Sequence, residues 1–450
     1  MKIQNTIFSH KTTGVPGRFS RPHTWKQWGL ILILVALVVV LLRSLWQKPE
    51  TGYSQLFPMD QTYHYESLRA LGYATTGGAD INEILHTIGD IEAGDSESWY
   101  QGWAAMADRK MADAERYQHD QIGQGNALLS ASNYYRTAEF MVYADDSRKL
   151  ETYRESIAAF YQGLDSLDVP HERMEIPYQD KVLDGLYFPG DMAQHGDTLI
   201  LMINGYDSIK EETYFTLGQA ALERGFSFMS YDGPGQGSAI RENGIPFTPE
   251  WGDVNRAVVD EVTAAHPEIR EIVLVGFSMG SILATKAAAA DPRISMLVQY
   301  DIMYDFSLTP RESMPASFAE LIFTDEPRPA WVSQMLTYSM RFSSEVDWAI
   351  RHGSWVMGID DYAEVLNQYR YYEISQDAPE VTVPVLLLVG ENDHFVNEEL
   401  VTTTEESFRQ AESVTSITYD WQSGADEHSQ VGAMNLWTAD FFEWVYDNRG

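Results

Sequence analysis

The sequence predicts an α/β fold, in which a mostly parallel β-sheet carries helices on both of its faces. From about residue 173, short apolar runs rich in β-branched residues alternate with helical patterns, which is the pattern of repeated βα units. Most of the runs are strongly apolar, as expected of strands whose two faces are both buried. One run, Ile272–Val275, passes through Gly-Phe-Ser-Met-Gly into an Ala-rich helical segment. This strand, turn and helix fix the centre of the predicted sheet.

The other predicted elements follow in a regular order. Met174–Tyr178 and Val182–Phe188 flank a short polar turn and predict a hairpin. Further strands are predicted at Thr198–Asn204, Phe226–Tyr231, Ile294–Tyr300, Val383–Val389 and Val414–Trp421. Helical patterns lie between or after them at Glu211–Arg224, Trp251–Ala265, Glu398–Arg409 and Gln430–Tyr446. Because strands and helices alternate, most neighbouring strands are expected to run parallel.

Two aromatic-rich regions lie outside this alternation. Residues 50–170 show helical spacing, for example at Trp99, Trp103 and Met106, and predict a helical cap domain. Residues 171–450 form the predicted α/β domain, with an insertion at about 306–378 that is rich in Trp, Tyr, Met and Phe. The insertion follows a strand end, where sites of open α/β sheets form, so we interpret it as a lid.

The N-terminus predicts a membrane anchor. Residues 1–27 form a basic tail, and an apolar core without charges, Leu30–Leu42, lies between Trp25 and Trp46. As a helix the stretch spans about 33 Å, enough to cross a bilayer, so we predict a transmembrane segment at 28–46. Basic residues lie mostly before it, which predicts a cytoplasmic N-terminus and an extracytoplasmic body at the cell membrane. The alternatives are a cleaved signal peptide, for which no small-residue cleavage pattern follows, and a buried core helix.

The charge and the absence of cysteine exclude several functions. The net charge is −35, and the first 48 residues hold seven of the 31 basic residues and no acidic one. The rest of the chain therefore carries 24 basic against 66 acidic residues, a composition that repels nucleic acids and anionic lipid surfaces. Without cysteine, disulfides, thiolate catalysis and cysteine-ligated zinc are impossible. No metal or organic cofactor is predicted.

The Gly-Phe-Ser-Met-Gly turn is the best candidate for a reactive centre. It matches the G-x-S-x-G nucleophile elbow, in which a serine on a sharp strand-to-helix turn projects its hydroxyl above the sheet. The candidate nucleophile is Ser278. Gly276 and Gly280 lack side chains because strand and helix are expected to pass too close there for a Cβ atom. The alternative is a tight turn with a purely structural role.

A serine hydroxyl needs a base, and the base needs an acid that orients it. The acid candidate is Asp393, directly after the strand Val383–Val389, with Glu391 as the alternative. The base candidate is His428, in the turn after the last predicted strand. His394 is adjacent to Asp393 in the chain and is badly placed to connect it to the serine.

The developing negative charge of such a reaction needs backbone N–H donors. One donor is expected from Met279, directly after the serine, and the second from Tyr206, after the strand that ends at Asn204. Gly205 would allow the close approach that this requires. The alternative is that Gly205 serves only the turn.

Five motifs carry a specific resemblance. They are Asn204–Glu212, Tyr231–Gly237, the serine turn, Gly390–Asp393 and Glu427–Gly432. From about residue 90 to 445 the chain resembles the α/β-hydrolase subfamily that contains dihydropseudooxynicotine hydrolase and fungal pigment polyketide-shortening hydrolases. The resemblance implies an α/β-hydrolase fold, an N-terminal helical cap and a Ser-Asp-His triad. Several members cleave carbon–carbon bonds in ketones, and others are esterases or peptidase-like.

The sequence therefore predicts a membrane-anchored serine hydrolase that acts on a small acyl or ketone substrate, most simply an ester. The alternatives are hydrolysis of a carbon–carbon bond of the β-diketone type or of an amide, acyl transfer to an alcohol, and a non-catalytic surface module. The last alternative predicts a missing triad residue, whereas all three candidates are present. The sequence leaves the oligomeric state open, a dimer included.

Overall fold

The central feature of the computed structural model, which describes residues 55–58, 60–396 and 398–450, is a β-sheet. In this part of the chain the sheet has eight strands in the order β1-β2-β4-β3-β5-β6-β7-β8. The strands are β1 (Glu172–Tyr178), β2 (Lys181–Phe188), β3 (His195–Ile203), β4 (Phe226–Asp232), β5 (Glu271–Phe277), β6 (Met296–Tyr300), β7 (Val385–Gly390) and β8 (Val414–Tyr419). The predicted hairpin is β1–β2, and β2 also pairs antiparallel with β4. All other pairs are parallel, which confirms the predicted mostly parallel sheet.

The N-terminal region is helical, as predicted. Between residues 60 and 166 it forms five α-helices, namely α1 (Gln61–Gly72), α2 (Ile81–Gly89), α3 (Ser96–Arg116), α4 (Gln121–Phe140) and α5 (Ser147–Ser166). Aspartate side chains at positions 60, 95, 120 and 146 accept hydrogen bonds from first-turn N–H groups and so define helix starts. The helices enclose an aromatic core that includes the fully buried Trp99, Trp103 and Tyr134. We call α1–α5 the helical region.

In the described part of the chain, eleven further α-helices follow the helical region. They are α6 (Gln219–Glu223), α7 (Gly237–Arg241), α8 (Trp251–Ala265), α9 (Gly280–Ala290), α10 (Leu308–Glu312), α11 (Ala316–Ile322), α12 (Trp331–Ser339), α13 (Ser344–Met357), α14 (Tyr362–Gln368), α15 (Glu398–Ser407) and α16 (Met434–Asn448). Side chains of β3 alternate between two apolar cores, with Leu201 packed into the core that includes α8 and α9 and Met202 into the one that includes α16. The sheet is therefore buried on both faces.

One predicted helix differs in the structure. The segment predicted as a single helix at Glu211–Arg224 contains a π-helical turn, Tyr214–Gly218, before α6. The wide turn lets consecutive aromatic rings reach the core, because Tyr214 stacks on Phe188 at 5.4 Å and Phe215 stacks on Tyr73 at 5.5 Å. Residue spacing alone does not reveal such a turn, since it inserts one residue into an otherwise helical pattern.

Helices α10–α14 lie between β6 and β7, where the sequence predicts an insertion. We refer to residues 306–378 as the insertion. Among the described residues, no helix combines the length and apolar character needed to cross a bilayer. The predicted tail at 1–27 and the predicted transmembrane segment at 28–46 lie outside the described residues.

Candidate active site

The turn between β5 and α9 holds Ser278 in a strained backbone conformation. Its φ is +56°, in the left-handed region that residues other than glycine rarely adopt. A Cβ atom on Gly276 would lie 2.2 Å from the carbonyl oxygen of Gly280, and one on Gly280 would lie 2.5 Å from that of Ile203. Only glycine fits at either position, for the steric reason predicted from the sequence. The tight turn leaves Ser278 partly exposed, whereas its neighbours on both sides are buried.

The structure brings the three predicted residues together. His428 Nε2 lies 2.8 Å from Ser278 Oγ, and His428 Nδ1 lies 2.6 Å from Asp393 Oδ2. With the proton on Nδ1, the ring donates to Asp393 and its Nε2 can accept the serine proton. The imidazole and the carboxylate are almost completely buried, so water competes little for either hydrogen bond. The alternative acid, Glu391, is exposed.

The electrostatic setting of Asp393 favours its charged form. Burial opposes ionisation, but His428, His394 and the N–H of Phe395, which donates to Oδ1 at 2.7 Å, together hold the pKa of Asp393 below its usual range. An ionised Asp393 keeps Nδ1 of His428 protonated and thus fixes the tautomer.

A second buried carboxyl group, Asp301, lies beside this pair and was not singled out in the sequence. Burial and the charge of Asp393 raise its pKa well above the usual range. Its Oδ2 accepts from the N–H of Gly390 at 3.2 Å and from Gln430 Nε2 at 2.8 Å. Asp301 thereby joins the end of β6 to the turns that carry Asp393 and His428. Its place directly after a buried strand is the signal that could have identified it.

The spacing of three side chains in the described residues would allow them to bind one metal ion. They are Asp301, Asp393 and His428, whose possible ligand atoms lie within 4.8 Å of one another. Asp393 and His428 are hydrogen-bonded to each other, and Asp301 accepts from backbone and amide donors. These partners occupy the ligand atoms, so the arrangement fits a hydrogen-bonded relay rather than a cation site.

The loop after β3 approaches the serine closely. We call residues 204–208 the β3 loop. A Cβ atom on Gly205 would lie 2.8 Å from the carbonyl oxygen of Phe277 and 3.3 Å from Cβ of Ser278. Tyr206 therefore follows a glycine that leaves no room for a side chain beside the serine, while Met279 immediately follows the serine at the start of α9. The predicted donor Met279 is therefore adjacent to Ser278 in the chain, and the predicted donor Tyr206 lies in the loop that approaches it.

Aromatic side chains surround the imidazole, and two of them, Tyr65 and Phe395, were not among the predicted site residues. The ring centre of His428 lies 5.9 Å from that of Tyr65, 4.9 Å from that of Phe395 and 5.7 Å from that of His394. Tyr65 comes from α1, so the helical region contributes directly to the surroundings of the site. A contact between residues so far apart in the chain leaves no local pattern, which is why sequence reasoning missed Tyr65. His394 does not touch Ser278 in any contact of the structure and lies beside the relay.

A strained serine turn at the end of a central parallel strand, backed by a hydrogen-bonded histidine and aspartate, defines the class of α/β hydrolases. The model of the Alpha/beta hydrolase family matches residues 200–424, half of the chain. Hydrolase acrC of Aspergillus aculeatus is 33% identical over 341 residues, 71% of this chain and 79% of that protein. The chain therefore belongs to the alpha/beta hydrolase family and is an enzyme.

Further relatives confirm the subfamily that the sequence motifs indicated. The 20-hydroxy-prefusarin hydrolase FUS2 of Gibberella moniliformis is 34% identical over 320 residues, covering 68% of this chain and 75% of that protein. Among solved structures, 2,6-dihydroxy-pseudo-oxynicotine hydrolase is similar with a TM-score of 0.62 at 20% identity, over 84% of this chain and 95% of the other. At that identity the likeness shows the shared fold, including the helical N-terminal region.

Proposed function

We propose that the protein is a serine hydrolase in which Ser278, His428 and Asp393 form the catalytic triad. The observation that carries the proposal is the continuous relay from Ser278 Oγ through both ring nitrogens of His428 to Asp393, with distances of 2.8 and 2.6 Å. The strained φ of Ser278 supports it, since such strain persists where a side chain must be held in one position.

The reaction follows from this relay. His428 Nε2 takes the hydroxyl proton as Ser278 Oγ forms a bond to the carbonyl carbon, and the carbonyl oxygen becomes an oxyanion. Collapse of this intermediate breaks the bond to the leaving group, which takes the proton from the imidazolium and departs. Water then repeats the sequence on the acyl-enzyme, releasing the acid and returning the proton to Ser278. Asp393 stays ionised and stabilises the transient imidazolium.

We assign the oxyanion hole to the backbone N–H groups of Met279 and Tyr206. The absence of room for a side chain on Gly205 beside Ser278 supports this assignment, because it means that the β3 loop runs close to the serine. Met279 lies at the start of α9, whose dipole favours negative charge at that end. Preorganised donors of this kind usually give the largest single contribution to catalysis.

The proposed substrate is a small molecule with an ester bond. An ester needs no activation of its leaving group beyond the proton that His428 returns, so it is the simplest carbonyl substrate for this relay. The aromatic surroundings formed by Tyr65 and Phe395 favour an apolar substrate. The names of relatives such as 20-hydroxy-prefusarin hydrolase support a small organic molecule. The insertion, as the proposed lid, and the helical region, as the proposed cap, would enclose it.

Labelling with a fluorophosphonate probe tests the proposal. The folded wild-type protein is expected to react covalently at Ser278, whereas Ser278→Ala should lose labelling and reduce hydrolysis by a factor of about 10⁴ or more. Ser281→Ala is the matched control, because this serine lies in the same segment and its hydroxyl instead donates to the carbonyl oxygens of Gly276 and Asp301. A wild-type protein that stays unlabelled, or equal labelling of Ser278→Ala, would contradict the proposal.

Product analysis then identifies which bond of the substrate the enzyme cleaves. Enzyme that has not been treated with the probe is offered para-nitrophenyl esters, β-diketones and peptide amides, with and without an added alcohol. Release of acid from the esters alone supports ester hydrolysis, and cleavage of the β-diketones assigns carbon–carbon hydrolysis instead. Formation of a new ester when the alcohol is present would assign acyl transfer.

A further inference from the structure

The β3 loop, which carries the proposed oxyanion donor, is held from two sides by regions outside the sheet. On one side Tyr206 contacts the insertion. Its hydroxyl lies 2.7 Å from that of Tyr369, and its carbonyl oxygen accepts from His352 Nε2 at 3.3 Å. The hydroxyl also donates towards the carbonyl oxygen of Ala349 at 3.4 Å. The insertion therefore bonds both the backbone and the side chain of this residue.

His352 can hold this contact without adding charge near the oxyanion. Burial lowers the pKa of His352 to about 3, so its ring is neutral at ordinary pH. Its ring centre lies 4.9 Å from that of Tyr206, edge to face, and 4.9 Å from that of Trp348, stacked. The packing fixes the ring and thereby fixes the donor that reaches the carbonyl oxygen of Tyr206.

On the other side, the next two residues of the β3 loop contact the helical region. Arg69 of α1 donates from Nη1 to Asp207 at 3.2 Å and from Nη2 to Ser208 Oγ at 3.2 Å. The same guanidinium is anchored on Glu212 by bonds of 2.6 and 2.7 Å. Arg136 of α4 pairs with Glu66, at 2.6 Å, and lies 3.9 Å from Asp207. Both arginines are buried, so these ion pairs are shielded from water and directional.

We infer that the helical region and the insertion together hold the β3 loop in the position in which the Tyr206 N–H can serve the oxyanion. In this inference, which rests on the proposed function, Arg69, His352 and Tyr369 are positioning residues and do not touch the substrate. A loop is ordinarily among the more mobile parts of a fold. Here three consecutive residues are held by side chains from two separate regions of the chain, which is what a preorganised donor requires.

The substitution Tyr369→Phe tests the insertion side. It removes one hydroxyl and keeps the ring, so the protein should fold, but Tyr206 loses its 2.7 Å bond. With para-nitrophenyl acetate we expect kcat to fall about 10- to 100-fold while KM changes less than about twofold, because only transition-state binding is affected. The rate of fluorophosphonate labelling should fall by the same factor. Tyr371→Phe is the matched control, since Tyr371 belongs to the same segment and is exposed.

Inhibition by two ketones distinguishes a displaced oxyanion donor from general damage to the substrate pocket. Trifluoroacetophenone adds reversibly to the serine oxygen and puts a negative oxygen in the oxyanion hole, whereas acetophenone binds without this addition. In Tyr369→Phe the inhibition constant of the trifluoro compound should rise by the factor lost in kcat, and that of acetophenone should stay unchanged. Equal weakening of both ketones, or behaviour like that of Tyr371→Phe, would overturn the inference.

The substitution Asp207→Asn tests the contact between the β3 loop and the helical region. It removes the charge that faces Arg69 and leaves the pair of Arg69 with Glu212 in place, and it should show the same selective loss for the trifluoro ketone. If Asp207→Asn shows wild-type constants for both ketones, the ion pair of Arg69 with Asp207 has no positioning role and the inference fails for the helical region. The proposed function fails separately, if the wild-type serine is not labelled at all.

Discussion

At the scale of single residues, the turn that holds Ser278 requires glycine at positions 276 and 280, because there is no room for a Cβ atom at either position. The backbone of Ile203, in β3, lies where a side chain on Gly280 would begin. We expect Gly280→Ala to move α9 away from β3, to lower kcat by at least about 100-fold and to destabilise the fold by about 1–3 kcal/mol, because overpacking shifts backbone. Urea unfolding and ester hydrolysis, measured together, check both effects.

Gly89→Ala is the control for this prediction. No atom lies within 4 Å of the Cβ that it would add, and the residue ends a helix of the helical region. Stability and activity should stay near wild type, or stability should rise slightly, because alanine restricts the unfolded chain. A Gly280→Ala protein as active as Gly89→Ala would show that the close contact between α9 and β3 has no role in the site.

The sequence sufficed to predict Ser278, Asp393 and His428 as one group, because each lies in a turn after a predicted strand and belongs to a short motif. It also sufficed to predict that Gly276 and Gly280 must lack side chains, because this requirement follows from the geometry of the turn alone. Tyr65 could not be found in this way, and the only sequence signal for Asp301 is its place directly after a buried strand. Tyr65 reaches His428 through tertiary packing alone, and Asp301 is one acidic residue among many until hydrogen bonds to two other turns distinguish it.

At the scale of elements, helices α4 and α5 are joined to α7 by a buried group of charges. Glu139 of α4 accepts from Lys149 Nζ at 2.5 Å and from Arg241 Nη2 at 2.6 Å. Burial opposes the charge, but these two cations lower the pKa of Glu139 from 4.5 to about 2. A carboxyl group whose pKa is lower in the folded state stabilises the fold above its unfolded pKa. That stabilisation is lost as the pH falls from about 4.5 towards 2.

We therefore expect Glu139→Gln to lower the free energy of unfolding by about 3 kcal/mol at pH 7, since each unit of pKa shift corresponds to about 1.4 kcal/mol. The difference from wild type should shrink as the pH falls below about 4.5. Urea unfolding curves between pH 7 and 3 measure it. A difference that stays constant over this range would mean that the carboxylate charge is not what joins these helices.

Glu242→Gln is the matched control for that experiment. Glu242 also connects the helical region to the α/β domain, through Arg154 at 2.6 Å, but both partners are partly exposed. Solvent screens such a pair, so the substitution should cost less than about 1 kcal/mol at any pH.

The positions of the strands and of most helices along the chain followed from hydrophobic patterns, because a buried parallel sheet imposes long apolar runs. Trp251–Ala265 even has the bounds predicted from the sequence. The π-helical turn at Tyr214–Gly218 and the ion pairs between α1, α4 and the β3 loop were not predicted. Each depends on partners supplied by distant elements, and spacing within one segment contains no information about them.

At the scale of the whole molecule, the proposed membrane anchor gives a direct prediction. The full chain should sediment with membranes and resist extraction by alkaline carbonate, because residues 30–42 are apolar and uncharged. A chain that lacks residues 1–48 should stay in the supernatant and keep its fluorophosphonate labelling. Protease added to intact cells should digest the body of the full chain if the proposed orientation is right. Complete extraction by carbonate would contradict the anchor.

The buried arginines of the helical region limit which segments can be exchanged between related hydrolases. Arg69 and Arg136 belong to one part of the chain, while Asp207 and Glu212 belong to the other. A chimera that took α1–α5 from another hydrolase without equivalent arginines would bury two carboxylates without cations beside the active site. The same applies in reverse to a transplanted α/β domain. We therefore expect a functional chimera only when both parts come from the same parent. Exchanges between family members should succeed where the exchanged segment does not include one side of these ion pairs.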